Sequence, residues 1–315
     1  MTRALLGLLL APLLLLGGCE NEQRIPYIAP TLHNWPKPYR GVNGLRIEAF
    51  VTGWLRVRPG LVYRGGSLTQ ERLLPVLAFA IHHPREGVIL FGTGLNQHSA
   101  EHASDYLGGL PGLLTQPQAY AHQDLPSQLA ASGIEPRAIR WIVLSDLQFD
   151  STGELRAFPH ARVVVTRDEH DYARRAPSGY LPREYADAES WKLIDFSAGT
   201  PLGTFESSVD LFGDGSCVLL DTAGYTPGSM ALLVRLPSAP LLLAGDLALV
   251  SESIRYTARP AALYDASQWW DRIWRLKRFQ DLDPRLQVVP AHDVGPLWSA
   301  PIPELVLHDY TPADE

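Results

Sequence analysis

The chain has little of what several functional classes require. Its 27 Lys and Arg residues are outnumbered by 34 Asp and Glu, the formal net charge is −7, and no run of basic residues occurs. Because phosphate binding needs clustered Lys and Arg, nucleic acid is not expected as the main partner. A Gly-x-Ser-x-Gly pattern is also missing, which argues against a serine hydrolase built on a nucleophile elbow.

Cysteine is scarce as well, with only Cys19 and Cys217 in the sequence. If Cys19 is lipidated, no disulfide can form within the chain. Cys217 lies in the strand-like run 216–220, so we expect it to be a buried small hydrophobic residue.

The N-terminal apolar run from Ala4 to Leu16 follows Arg3 and is too short to cross a bilayer comfortably. It is typical of a secretory signal. Leu16-Gly-Gly-Cys19 resembles a bacterial lipobox, which implies lipidation of Cys19 and a signal peptide over 1–19. Glu20 then favours the outer membrane, by resemblance to Gram-negative lipoproteins. We expect a periplasm-facing, lipid-anchored envelope protein; an ordinary signal peptide with an incidental cysteine is the alternative.

Residues 20–44 carry four prolines and few aliphatic residues, which predicts a tether ahead of a folded domain over 45–315. Hydrophobic residues make up 46% of the chain, enough for a sizeable core. Apolar patterns predict helices over 124–133, 168–175 and 265–281. They predict strands over 45–57, 61–64, 74–82, 86–91, 139–144, 161–166, 209–212, 217–220, 230–236, 241–244 and 286–289.

Four segments together resemble the metallo-β-lactamase superfamily, most closely its acyl-homoserine lactonase branch. Ile89-Leu-Phe-Gly-Thr-Gly94 is similar to a strand ending in Asp-Thr-Gly, and Asp221 to Ser229 is similar to Thr-Pro-Gly-His. The strand 139–144 enters Asp146-Leu-Gln-Phe-Asp150-Ser, where the family has His-x-His-x-Asp-His. Leu241-Leu-Leu-Ala-Gly-Asp and, downstream, Pro-Ala-His-Asp complete the order. The resemblance implies an α+β fold, an αββα sandwich of the metallo-β-lactamase type.

The same resemblance implies where a two-metal centre would lie. The first metal would need side chains at positions 146, 148 and 225, all histidine in the family and here Asp146, Gln148 and Tyr225. The second would use Asp150, Ser151 in place of a histidine, and His292. Asp246 would bridge both metals. The order and spacing of the family motifs are therefore kept, while four of their histidines are replaced.

These replacements affect the two metal positions unequally. Zinc prefers imidazole and thiolate ligands, and a tyrosine phenol with a pKa of about 10 must lose its proton to bind well. We therefore expect the first position to be empty. Asp150, Asp246 and His292, with Asp146 as a further oxygen, can hold one divalent ion (Zn, Mn or Fe). An oxygen-rich set favours Mn, Fe(II), Mg or Ca over Zn. Otherwise we expect no cofactor.

Three functions stay open on the sequence. The main interpretation is a lipid-anchored member of the fold that has lost the two-zinc hydrolytic centre and keeps the cleft for a small-molecule ligand or an envelope protein. The alternative is a mononuclear metal-dependent hydrolase of an ester, lactone or thioester, with Asp150 or Asp146 as base and Tyr225 as oxyanion donor. The third is a structural envelope lipoprotein with Trp269, Trp270 and Trp274 as a partner surface; we prefer core packing for these rings.

Overall fold

The computed structural model describes residues 31–108, 115–299 and 301–308. The described part of the chain combines strands and helices. The described strands are β1 Arg46–Val57, β2 Arg72–His83, β3 Gly87–Phe91, β4 Gln116–Gln118, β5 Ile139–Val143, β6 Arg162–Thr166, β7 Trp191–Ile194, β8 Thr200–Leu202, β9 Phe205–Asp210, β10 Cys217–Asp221, β11 Met230–Arg235, β12 Pro240–Leu243, β13 Gln287–Val289 and β14 Leu305–His308.

Helices connect and cover these strands. They are α1 Pro59–Val62, α2 Gln97–Glu101, α3 Ala103–Leu107, α4 Leu125–Ala131, α5 Phe149–Thr152, α6 Arg167–Ala173, α7 Pro182–Tyr185, α8 Ser251–Arg255, α9 Ala266–Leu282 and α10 Gly295–Ser299. Their starts follow ordinary capping chemistry. Asp124 accepts from the Ser127 N–H ahead of α4, and Asp265 accepts from the Ser267 and Gln268 N–H groups ahead of α9.

Two sheets form the middle of the fold. The first has the order β14-β1-β2-β3-β5-β6-β7, with β4 paired to β1, and the second has the order β13-β12-β11-β10-β9-β8. The strands β3, β5, β6 and β7 run parallel, as do β12 and β13. Parallel neighbours bring the loops that follow them to one edge of each sheet, and that edge carries the candidate site.

Apolar side chains fill three layers around the sheets. Residues such as Ile47, Phe79 and Leu232 meet between the two sheets. Leu125 and other helical residues cover the outer face of the first sheet, and α9 covers the outer face of the second. This is the predicted αββα sandwich, with helices on both outer faces.

The tryptophans of α9 belong to this core. Trp269 is fully buried, and its indole N–H donates to the Leu247 carbonyl at 2.9 Å. Trp270 and Trp274 are partly buried and pack against the same cluster. The preferred interpretation, core packing, is confirmed, and a free tryptophan surface is not what the helix presents. Cys217 is likewise fully buried in β10, as expected.

One predicted strand is wrong. Residues 61–64 were expected to be extended, but α1 occupies Pro59–Val62, and Tyr63 makes only an isolated bridge to Pro260. Pro59 stands at the first position of α1, where its fixed φ favours a helical turn and its missing N–H costs nothing. The apolar residues therefore form a turn at the end of the β1–β2 hairpin.

The predicted tether over 20–44 also needs correction from Thr31 onward. Trp35 is buried, its indole N–H donates to Asp283 at 2.9 Å, and its ring meets Phe279 edge-on with centroids 4.8 Å apart. The Tyr39 hydroxyl donates to the Leu236 carbonyl at 2.7 Å. This stretch packs on the domain because the two aromatic rings bury apolar surface there.

The signal peptide and Cys19 lie outside the described residues. Among the helices that the structure describes, none is both long and apolar enough to cross a membrane.

Candidate active site

The side chains that the sequence assigned to one site come together at the loop edge of the two sheets. Asp146 and Asp150 follow β5, and Tyr225 lies between β10 and β11. Asp246 follows β12, and His292 follows β13. The backbone joins the two sheets here as well, since the Met230 N–H at the start of β11 donates to the Ser145 carbonyl at 3.1 Å.

His292 is held with one ring nitrogen facing the cleft. Its Nδ1 lies 3.0 Å from the Pro75 carbonyl oxygen, which can only accept, so Nδ1 carries the proton and a neutral ring presents a bare Nε2. That Nε2 lies 3.5 Å from Asp150 Oδ2 and 4.0 Å from Asp246 Oδ1. Asp150, Asp246 and His292 are called the half-site below.

Asp146 has a different environment. Its side chain is fully buried, Oδ2 accepts from the Ser145 hydroxyl at 2.8 Å, and Oδ1 accepts from the Gln148 N–H at 2.9 Å. The loop itself therefore engages both oxygens, and Asp146 holds the loop rather than offering a free ligand.

The carboxylates of the site repel one another when they are ionised. Burial raises the pKa of Asp146, Asp150 and Asp246 above the usual range. The charge of Asp150 raises the pKa of Asp146 further, and the charges of Asp146 and Asp150 do the same to Asp246. When the His292 ring is protonated on both nitrogens, its positive charge lowers the pKa of Asp150. A cluster of this kind is unfavourable when fully ionised, so a bound proton or cation stabilises it.

Tyr225 occupies the position of a family histidine and stays a neutral phenol. Burial raises its pKa well above the ordinary value of 10, and the charges of Asp246, Asp150 and Asp146 raise it further. Its hydroxyl lies 3.4 Å from Gln148 Oε1, which is long for a hydrogen bond between oxygens. The O–H is therefore a donor that can turn to a stronger acceptor.

A small cavity of about 30 Å³ opens beside these groups. Asp150, Asp246 and His292 line it together with the Ser145 and Ser151 positions. The volume has room for about two water molecules or one ion. An acylated lactone is far larger than this, so its acyl chain would have to lie outside.

The two predicted metal positions differ in how well their residues fit an ion. Asp146, Gln148 and Tyr225, called the substituted set below, offer an engaged carboxylate, a neutral amide and a protonated phenol. They do not fit a metal ion. The half-site offers two carboxylates and an imidazole, a set that suits one divalent ion in kind.

Both distances from His292 in the half-site are longer than the separation of two ligands on one ion, so the site is not closed. Ligand atoms about 2.1 Å from a tetrahedral ion stand roughly 3.4 Å apart, against the 3.5 and 4.0 Å found here. Within the described part of the chain, no group of three or more His, Cys, Asp or Glu side chains is placed so that it could hold a metal ion as it stands. Binding an ion would therefore need further ligands, such as water, or a small inward movement of the carboxylates.

Sequence reasoning missed two buried glutamates beside the site. Glu184 accepts from the Thr152 hydroxyl at 2.5 Å and from the Tyr106 hydroxyl at 2.9 Å. Glu169 is fully buried at the start of α6. The pattern Thr166-x-x-Glu169 is that of a capping box and marks the start of that helix. No local signal shows that the Glu169 carboxylate reaches the β5 loop.

Comparison with known proteins gives a consistent result. The family model described as the metallo-beta-lactamase superfamily matches residues 72–292. The N-acyl homoserine lactonase AttM of Rhizobium radiobacter is 29% identical over 260 residues, which cover 80% of this chain and 94% of that protein. An N-acyl homoserine lactonase of a Bacillus species is 27% identical over 214 residues, covering 67% of this chain and 79% of that protein.

Solved structures agree on the fold. A mutant of AiiA from B. thuringiensis with N-decanoyl-L-homoserine bound at the active site superposes with a TM-score of 0.70 at 20% identity, covering 82% of this chain and 96% of that one. An N-acyl homoserine lactone hydrolase, with N-hexanoyl-L-homoserine bound at its catalytic metal center, gives 0.70 at 21% identity over the same shares. At these identities the likeness establishes the fold alone.

Proposed function

Since the chain belongs to the metallo-β-lactamase superfamily, we propose that it is a hydrolase of a lactone or a related ester that works with one divalent cation instead of two. The observation that carries this proposal is the half-site. His292 Nε2 faces both carboxylates across a cavity of ionic size, and the Pro75 carbonyl fixes the ring in that tautomer. Outer hydrogen bonds of this kind orient metal-binding histidines.

The relatives support the substrate class. AttM is described as an N-acyl homoserine lactonase, and its match covers 94% of its length. A lactone is a cyclic ester, and opening it requires an attacking water, a base for its proton and a group that stabilises the oxyanion. We assign these roles to side chains of this site.

A divalent cation held by the half-site would supply a Lewis acid that polarises the substrate carbonyl. Asp150 lines the cavity and, when ionised, takes a proton from the attacking water. Tyr225 donates its O–H to the carbonyl oxygen as negative charge develops there, since its phenol stays protonated. Asp146 keeps the loop in place by accepting from the Ser145 hydroxyl and the Gln148 N–H.

The test is turnover of an N-acyl homoserine lactone and of a simple aryl ester by the full chain, purified without chelator and assayed with Mn²⁺ or Zn²⁺. We expect cation-dependent hydrolysis that falls at least about 100-fold in Asp246→Ala, because a ligand to the ion is lost. Asp283→Asn is the matched control. Asp283 is equally buried but bonds to Trp35 and Arg285, away from the cleft.

A second candidate rests on the substituted set. The same three positions, and Ser151 with them, lack the histidines of the family pattern, which favours a member of the fold that binds a ligand in the cleft without hydrolysing it. If the wild-type chain neither binds a cation nor hydrolyses either substrate, this candidate replaces the hydrolase. Metal-dependent turnover that Asp246→Ala removes would exclude it.

We further propose that the chain is anchored in a bacterial envelope through Cys19, on the strength of the Leu16-Gly-Gly-Cys19 pattern. Metabolic labelling with an alkynyl fatty acid tests this. Label that is present in the wild-type chain and absent from Cys19→Ser supports the anchor, and an unlabelled wild-type chain in the membrane-free fraction contradicts it.

A further inference from the structure

Glu169 joins the loops that carry the candidate site. Its carboxylate is fully buried and accepts three hydrogen bonds from three segments. Oε1 accepts from the Leu147 N–H at 3.0 Å and from the Tyr180 hydroxyl at 2.6 Å. Oε2 accepts from the Thr226 hydroxyl at 2.5 Å. All donors of these bonds come from loops or turns, where backbone conformation is least determined by the sheets.

The positions of two of the donors are informative. Leu147 stands between Asp146 and Gln148, and Thr226 directly follows Tyr225. The first loop follows β5 of the first sheet, and the second connects β10 to β11 of the second sheet. We call the loop that carries Asp146 and Asp150 the acidic loop, and the loop that carries Tyr225 the tyrosine loop. The single carboxylate of Glu169 therefore links these two loops across the gap between the sheets.

The segment after α6 is joined to the same loop by its backbone. Gln148 and Tyr180 form an isolated bridge, and the Phe149 N–H donates to the Gly179 carbonyl at 3.0 Å. The Tyr180 hydroxyl in turn donates a hydrogen bond to the Glu169 carboxylate. The acidic loop is thus fixed from its backbone on one side and from the Glu169 carboxylate on the other.

Burying this carboxyl group has a free-energy cost, since burial and the nearby charge of Asp146 disfavour its ionised form. An apolar side chain would fill the same space without that cost, so the contribution of Glu169 lies in its hydrogen bonds.

We propose that Glu169 is a positioning residue that holds the loop of Asp146 and Asp150 in register with Tyr225. It acts through the Leu147 N–H and the Thr226 hydroxyl and does not touch the substrate. Its consequence for hydrolysis rests on the proposed function, but the positioning role itself does not.

Hydrogen–deuterium exchange of the full chain measures the role directly. In Glu169→Ala we expect the peptides covering 145–149 and 222–229 to exchange at least about tenfold faster, because both loops lose their shared acceptor. Glu169→Gln keeps an acceptor oxygen and should restore most of the protection. Faster exchange in neither loop, in only one, or equally throughout the protein would overturn the proposal.

Two further variants guard against a chain that fails to fold. Thr226→Val removes one bond at nearly constant volume and should loosen 222–229 while leaving 145–149 close to wild type; Tyr180→Phe should loosen 145–149 less than Glu169→Ala does. Glu48→Ala is the matched control, because Glu48 is a buried carboxylate bonded to His82 and His308 at 2.7 Å each. It should lower stability without selective loosening of the two site loops.

The exchange result and the hydrolysis result separate the two proposals. Selective loosening together with a fall in kcat at little changed KM supports both. Selective loosening in a chain whose wild type has no activity leaves the positioning role standing and removes the hydrolase. If exchange is unchanged in Glu169→Ala while the wild-type chain hydrolyses lactones, the hydrolase stands and the positioning role is removed.

Discussion

The half-site and the substituted set share one cleft but differ in what their side chains bind. In the half-site, an imidazole nitrogen and two carboxylates face each other across a cavity at 3.5 and 4.0 Å. In the substituted set, Asp146 accepts from its own loop, and Tyr225 meets Gln148. The replacement of histidines in the substituted set has therefore not left the loop without internal hydrogen bonds. Internal hydrogen bonds hold the substituted side, while the other side still favours a cation.

The largest expected difference between the two sides is in activity. His292→Ala should lower kcat/KM at least about 100-fold and abolish cation binding, because it removes the only nitrogen donor of the half-site. Gln148→Ala should lower kcat/KM less than about fivefold. His83→Ala is the matched control, since His83 is also buried but bonds to Asp214 and Ser216 far from the cleft. Equal effects of His292→Ala and Gln148→Ala would contradict the comparison.

A smaller effect is expected for the hydroxyl of Tyr225. Tyr225→Phe should lower kcat by about 10- to 100-fold with KM and bound cation unchanged, since it removes a donor to the developing oxyanion and no metal ligand. Steady-state kinetics and elemental analysis on the same preparation check it. Loss of the cation in this variant would place Tyr225 among the ligands.

Stability should depend on pH and on cations in a coupled way. Burial raises the pKa of the half-site carboxyls, and that of Glu184 to about 7. The folded state then holds more protons than the unfolded chain above about pH 4, so stability falls as the pH rises towards 7. In chelator, Tm should therefore be lower at pH 8 than at pH 5.

Added Mn²⁺ should reverse this loss where the carboxyls are ionised. At about 100 times its Kd, the ion stabilises the fold by about 2.7 kcal/mol, or about 5–10 °C in Tm, at pH 8. The shift should be much smaller at pH 5, where protons compete for the same oxygens. An equal shift at both pH values, or none in the wild type while Gln148→Ala gains one, would contradict the account.

The smallest effect concerns a buried carboxyl outside the half-site. Burial raises the pKa of Glu154 to about 7, although the Gln97 N–H donates to it at 3.2 Å. Glu154→Gln keeps the acceptor and removes the charge, so it should stabilise the fold by about 1 kcal/mol at pH 8 and hardly at pH 5. Chemical denaturation at the two pH values measures this. Cation binding should be unchanged, which separates a general burial cost from the half-site.

Local patterns predict much of the fold. The apolar run before Asp146 is β5, and the Asp124 and Asp265 caps start α4 and α9 where expected. The strand predicted over 61–64 was wrong because this apolar run, which follows Pro59, forms part of a helical turn. The order of family motifs, rather than periodicity, predicted how the two sheets stack.

Long-range contacts explain what the sequence could not predict. Trp35 hydrogen-bonds to Asp283, which lies 248 positions further along the chain. No local sequence pattern around Trp35 therefore showed that its segment would pack on the domain. The five predicted side chains of the site do come together, since family order placed them at the loop ends. The engagement of Asp146 and the reach of Glu169 depend on where loops from two sheets meet, which no local pattern encodes.

The most direct measurement is the number of tightly bound transition-metal ions per chain, by elemental analysis of protein purified without chelator and then equilibrated with Mn²⁺. The account predicts one ion per wild-type chain, close to none in Asp246→Ala or His292→Ala, and one in Gln148→Ala. No ion in the wild-type chain, or two, would contradict the claim that one half of the cleft keeps a cation site and the other has lost it.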